Sequence, residues 1–176
     1  IHETLVDLLT IQKEIHSGLF AVMDGTVSGS GPGPRTMMPH ETSLLLAGSD
    51  MVAVDAVASW LMGFDPMTIP YICLAHEAGL GVGRIEEIEI LGEIPANHRQ
   101  HYTVGDNFAS LVGDRLWFGV FRPLQHLFFH TPLVYLFIWA SYVYHDFIWW
   151  PLVGKRRQRA LRKSSRWGKL FRDFQP

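Results

Sequence analysis

The sequence predicts an α/β protein: a partial, mostly parallel sheet with flanking helices, followed by a C-terminal hydrophobic helical segment that associates with a membrane. Three observations carry that prediction. Short apolar runs alternate with helical periodicities over residues 1–94, the pattern of strands joined by crossover helices. Residues 116–154 hold 13 aromatic side chains in 39 positions, and Pro123 to His145 contains no Asp, Glu, Lys or Arg. Charge is sharply divided: residues 1–154 carry six Lys/Arg against sixteen Asp/Glu (net −10), whereas residues 155–176 carry nine against one (net +8).

Within 1–94, Leu5, Leu8, Leu9 and Ile15 fall near one face of residues 2–17, with charges opposite, so this is an amphipathic helix stopped by Gly18. Leu19–Met23 is an uninterrupted apolar run that fits a buried strand ending at Asp24-Gly25. SGSGPGPR at 28–35 has three glycines and two prolines in eight positions and is expected to be a loop. Ser43–Ala47 is a second strand. Asp50 then stands as N-cap of a helix Met51–Met62, with Gly63 just beyond its end. Asp65-Pro66 opens a further helix that runs to about Ala78 and stops at Gly79, Gly81 and Gly83. Residues 85–92, IEEIEILG, resemble an edge strand. Residues 95–115 are polar and irregular and are expected to be a linker.

The segment 116–154 is read as membrane-associating and 155–176 as a basic amphipathic tail. A charge-free run this long matches ~30 Å of hydrocarbon at about 1.5 Å per residue. Trp139 lies within it, and Trp149 and Trp150 precede Lys155, Arg156 and Arg157, the order of aromatic belt and cationic edge found at membrane boundaries. Two geometries remain open: a single span from about Leu124 to Tyr144, or a re-entrant or interfacial hairpin broken at Pro132. The prolines and the polar residues of the segment favour the hairpin, which leaves both ends on the cytoplasmic face. The tail is expected to bind anionic lipid. Nucleic acid is not expected, because the acidic body repels a polyanion.

A single cysteine, Cys73, excludes a disulfide scaffold, and it excludes a zinc-thiolate or iron–sulfur site built from this chain alone. The chain opens on Ile1 with no signal-peptide pattern and is read as a piece of a longer or processed protein.

Chemistry is expected at two places. Gly29, Gly31 and Gly33, with Arg35 and the nearby His40, form a glycine loop whose N–H groups could cradle an anionic ligand; a tight proline-rich turn is the competing reading. Its spacing matches neither the Walker loop nor the dinucleotide fingerprint. Asp24, with Gly25, closes the preceding strand, where it is a candidate ligand for a divalent metal or simply a turn residue. Asp55 has only apolar neighbours within three positions, so burial there requires a partner; it is either a functional carboxylate or a structural tie. Asp24 and Asp55 are the catalytic candidates, while Asp50 reads as a helix cap.

VMDGTVSGSGPGPR, LLLAGSDMVAVDAVASWLMGFDP and IPYICLAHEAGLG together resemble the family called "domain of unknown function 362" over about residues 1–93, its C-terminal half. The resemblance marks Asp24, Gly25, Gly31, Asp50 and Asp55 as family-typical and implies an α/β fold. It further implies redox or cofactor-related metabolism beside a ferredoxin-like module, with any iron–sulfur group supplied by a missing region or a partner. Met51 departs from the family's frequent proline. The expectation is a membrane-associated protein binding an anionic ligand or metal. Its rival is a non-catalytic subunit of a larger membrane complex.

Overall fold

Two strands, β1 (Ala21–Ser30) and β2 (Met38–Gly48), pair as an antiparallel hairpin, and they are the whole sheet among the described residues. The computed structural model describes residues 1–93 and 101–174. The expected mostly parallel α/β sheet is therefore corrected. An apolar run fits either kind of sheet, and the connection decides between them. Residues 31–37 are far too short for a parallel crossover, which needs about a dozen residues or more. Gly31, at φ +82°, supplies the left-handed backbone that turns the chain. β1 also continues through Ser28, Gly29 and Ser30, into the expected loop. A Cβ on Gly29 would stand 2.9 Å from Met37 Sδ, so glycine lets the two arms close.

The chain divides into two units, one formed by residues 1–27 and 42–102, the other by 28–41 and 103–176. In the first, α1 (His2–Ile15), α2 (Met51–Leu61) and α3 (Pro70–Glu77) surround a small core of Val52, Ala56, Ile72 and Ala75. Val6, Leu9, Tyr71, Ile85 and Ile88 pack against that core. Asp50 caps α2, its Oδ1 accepting the Ala53 N–H at 3.0 Å, and Gly63 takes φ +95° just past the end. The helix expected from Pro66 to Ala78 is broken in two, a single 3₁₀ turn at Pro66–Thr68 followed by α3, because Pro70 restarts the helix at its own first position. Residues 85–92 form no strand: Ile85–Glu87 is a 3₁₀ turn. Ile85 and Ile88, three apart, both reach the core, which a two-residue period does not allow.

In the second unit, α4 (Phe108–Trp117) rises from the stretch expected to be a linker, opened by a reciprocal cap between Asn107 and Ser110. Ahead of α4, residues 101–107 of that expected linker form neither helix nor strand, and residues 95–100 lie outside the described residues. A 3₁₀ turn at Arg122–Leu124 leads into α5 (Gln125–Phe129), and α6 (Val134–Tyr142) continues into a π-helical stretch, Val143–Gly154, containing Pro151. α7 (Lys155–Ser164) and α8 (Arg166–Asp173) follow. Of the two geometries left open, the single span over 124–144 does not form: no single helix among the described residues is long and apolar enough to cross a membrane. The stretches 122–129 and 134–164 reach that length and hydropathy only together, and they meet at a 90° bend around Pro132.

Candidate functional site

The half-buried carboxylate of Asp55 sits in a cleft between α1, α2 and α3. The cleft encloses about 390 Å³ and is walled by residues including Leu5, Leu8, Leu9, Val52 and Ala75, with Gln12 as a further polar lining group. The helical period places Asp55 there. Val52 and Ala56 turn into the core, and Asp55, three positions after Val52, comes to the edge of the same face. The Tyr71 hydroxyl, from α3, donates to Asp55 Oδ2 at 3.1 Å. The His2 ring stacks on the Tyr71 ring at 6.1 Å between centroids and only 4° between planes. Burial pushes the Asp55 carboxyl above the usual carboxylate range, and the Tyr71 hydrogen bond opposes that rise without cancelling it. Tyr71 is raised in turn, by burial first and then by the neighbouring carboxylate. The structure thus gives Asp55 a side-chain partner across a cavity. Tyr71 and Gln12 escaped the sequence reading. The signal was slight, one phenol inside the otherwise apolar IPYICLA.

The other expected ligand residues lie along the β1–β2 hairpin and its turn. Asp24 is exposed, and its Oδ1 accepts the Thr26 N–H at 2.8 Å; this hydrogen bond, with a second from the Thr26 side chain, holds its carboxyl below the ordinary range. Gly25 is a strand residue whose Cβ would stand 3.2 Å from Leu44 Cβ. In the turn, the Gly31 N–H donates to the Thr103 carbonyl at 2.6 Å, and Arg35 pairs with Asp146 at 2.8 Å. His40 Nε2 lies 2.6 Å from Ser30 Oγ. Gly33 meets Met37 Sδ at 3.4 Å, ordinary contact. The groups proposed to cradle an anion are thus partnered by the protein at Gly31 and Arg35. Among the described residues no three His, Cys, Asp or Glu side chains converge as a metal site.

Further cavities among the described residues include two. One of about 400 Å³ opens beside the end of β2 and includes Asp50, but both oxygens of that carboxylate are used, Oδ1 by the Ala53 N–H and Oδ2 by the Val82 N–H at 2.8 Å. The other, of about 240 Å³ in the second unit, is bounded by apolar side chains of α4, α5 and α6 such as Val112, Leu116 and Phe137.

The basic cluster is divided in its use. Lys155 and Arg156 are exposed. Arg157 instead donates from Nη1 to the carbonyls of Thr36 at 2.8 Å and Met37 at 3.2 Å, and its guanidinium lies 5.7 Å from the Trp149 ring centre. Trp139 and Trp150 are exposed at 62% and 38%. In α8, Trp167, Leu170 and Phe171, followed by Phe174 just past its end, recur at helical spacing against Arg166, Lys169 and Arg172, an amphipathic face with Phe171 65% exposed.

Comparison with known proteins agrees with the resemblance. A thylakoid-associated protein of Synechocystis sp. is 29% identical over 110 residues, covering 62% of this chain; the chain spans about a third (33%) of that relative's length. No solved structure matches the chain. Residues 1–60 match the model of the family described as "Domain of unknown function (DUF362)", the family that the sequence resembles.

Proposed function

We propose that the chain attaches to an anionic membrane surface through its second unit and carries its family domain there. The bent apolar helix pair, 122–129 and 134–164, is the observation that carries this reading. A 90° bend suits a hairpin lodged in one leaflet better than a crossing. Tyr135, Leu136, Ile138 and Trp139 are all more than half exposed along α6, an apolar surface of the kind that water does not favour. Where the pair ends, α7 presents exposed Lys155, Arg156, Arg159 and Lys163, and α8 adds its amphipathic face, the form of an interfacial helix over anionic headgroups. The thylakoid association of the Synechocystis relative is in keeping with it.

The test is flotation of the full chain with vesicles of phosphatidylcholine alone or mixed with phosphatidylglycerol. Binding should require the anionic lipid and weaken with salt. Charge reversal at Lys155, Arg156 and Lys163 should weaken it by about 1 kcal/mol or more per residue. A chain that stays in the aqueous fraction with both vesicles overturns the reading. Its apolar surface would then be left for another protein subunit.

A further inference from the structure

We propose that the cleft between α1, α2 and α3 binds a small amphiphilic amine: an ammonium group held by Asp55, with a short hydrocarbon body lying on Leu5, Leu8, Leu9 and Val52. Three observations converge on that chemistry. The cleft's size, about 390 Å³, falls in the range of small-molecule sites, and its walls are mainly apolar with a few converging polar groups. Of the two Asp55 oxygens, Oδ2 takes the Tyr71 hydroxyl, whereas Oδ1 has no hydrogen-bond partner among the described residues. No Lys, Arg or His among the described residues forms an ion pair with Asp55, so the charge the cleft encloses is left to the ligand.

Those facts select the ligand by exclusion. An anion would meet a carboxylate with no compensating cation. A bare hydrocarbon would dry that carboxylate without replacing its lost water, at a cost. An inorganic cation needs several oxygen or nitrogen ligands, and the walls here are mostly hydrocarbon. An amine satisfies both parts: its N–H groups donate to Asp55 Oδ1 and to the side-chain oxygen of Gln12, and its carbon body removes Leu5 and Leu8 from water. Tyr71 serves as the positioning residue. Stacked under His2 and bonded to Oδ2, it fixes the carboxylate so that the other oxygen is the one presented. The site lies wholly within the first unit and does not depend on the membrane attachment proposed above.

The experiment uses the full chain in detergent at neutral pH, with cyclohexylammonium as the probe and cyclohexanol and cyclohexanecarboxylate as matched neutral and anionic controls. Binding is followed through the methyl NMR signals of Leu5, Leu9 and Val52. The amine should saturate and bind at least tenfold more tightly than either control. Asp55→Asn keeps the shape and the Tyr71 hydrogen bond, and it should reduce amine binding at least tenfold while leaving cyclohexanol unchanged. Equal affinity for amine and alcohol in the natural chain overturns the proposal. So does an Asp55→Asn chain that binds the amine as before. Should that variant fold poorly, the comparison of the three probes on the natural chain decides alone.

Discussion

Arg35 Nη2 lies 2.8 Å from Asp146 Oδ1, so the cation of the glycine-rich turn is tied to the only acidic residue between Arg115 and Lys155. The two side chains are 53% and 35% exposed, and water screens the pair. A double-mutant cycle with Arg35→Met and Asp146→Asn, read by urea unfolding of the full chain, should give a coupling of about 0.2–1 kcal/mol that shrinks as salt is added. A larger, salt-independent coupling would mean that the pair is drier than its exposure indicates.

Asp50 holds two segments at once. Oδ1 caps α2 through the Ala53 N–H and Oδ2 takes the Val82 N–H, from a segment 32 residues away, at 2.8 Å. Asp50→Ala should cost about 0.5–2 kcal/mol for the lost cap, plus about 1 kcal/mol for the second bond, measured as a lowered urea midpoint. Asp50→Asn keeps the cap acceptor and should fall between. Gly81→Ala should resemble the alanine variant, because a Cβ there would collide with Asp50 Oδ1.

Arg156 and Arg157 are neighbours in sequence with different duties. Arg157 bonds two backbone carbonyls and covers Trp149, while Arg156 is exposed. Arg157→Ala should lower stability by about 1.5–3 kcal/mol, the range for hydrogen bonds from a charged group. Arg156→Ala should leave stability within about 0.5 kcal/mol, acting instead on binding to phosphatidylglycerol vesicles. Thermal unfolding and vesicle flotation of the same two variants separate these effects.

What the sequence disclosed and what it withheld follow from how local each signal is. α2 could be read nearly to the residue, because Asp50, the apolar run and Gly63 each act over a single turn. The hairpin could not, since Leu19–Met23 and Ser43–Ala47 carry strand propensity but no statement of pairing direction; that rests on seven residues of turn geometry. α4 had a signal that was passed over, Asn107 followed three positions later by Ser110 ahead of Leu111 and Val112. For the candidate site, the apolar neighbours of Asp55 marked it as unusual. Its partner Tyr71, sixteen residues on, becomes visible only once α2 and α3 pack.

The Asp55–Tyr71 pair also sets a pH dependence whose sign follows from burial. Burial lifts the folded-state carboxyl above its ordinary value of 3.8, so between that value and the raised one the folded chain binds more proton than the unfolded chain. Stability contributed by the protonated form is fully present below 3.8 and is lost as pH rises through the folded value. Asp55→Asn cannot ionise. The stability of the natural chain relative to this variant should therefore fall with rising pH across that window and then level off. Asp24 has the opposite sign, its lowered carboxyl favouring the folded state above the ordinary value, but it is common to both chains and cancels in the difference. Tyr71→Phe removes the hydrogen bond that restrains the rise, so it should move the Asp55 titration further upward, followed directly through the carboxyl carbon by NMR. A relative stability that rises with pH would show instead that the folded protein favours the charged carboxylate, with a compensating group near Oδ1.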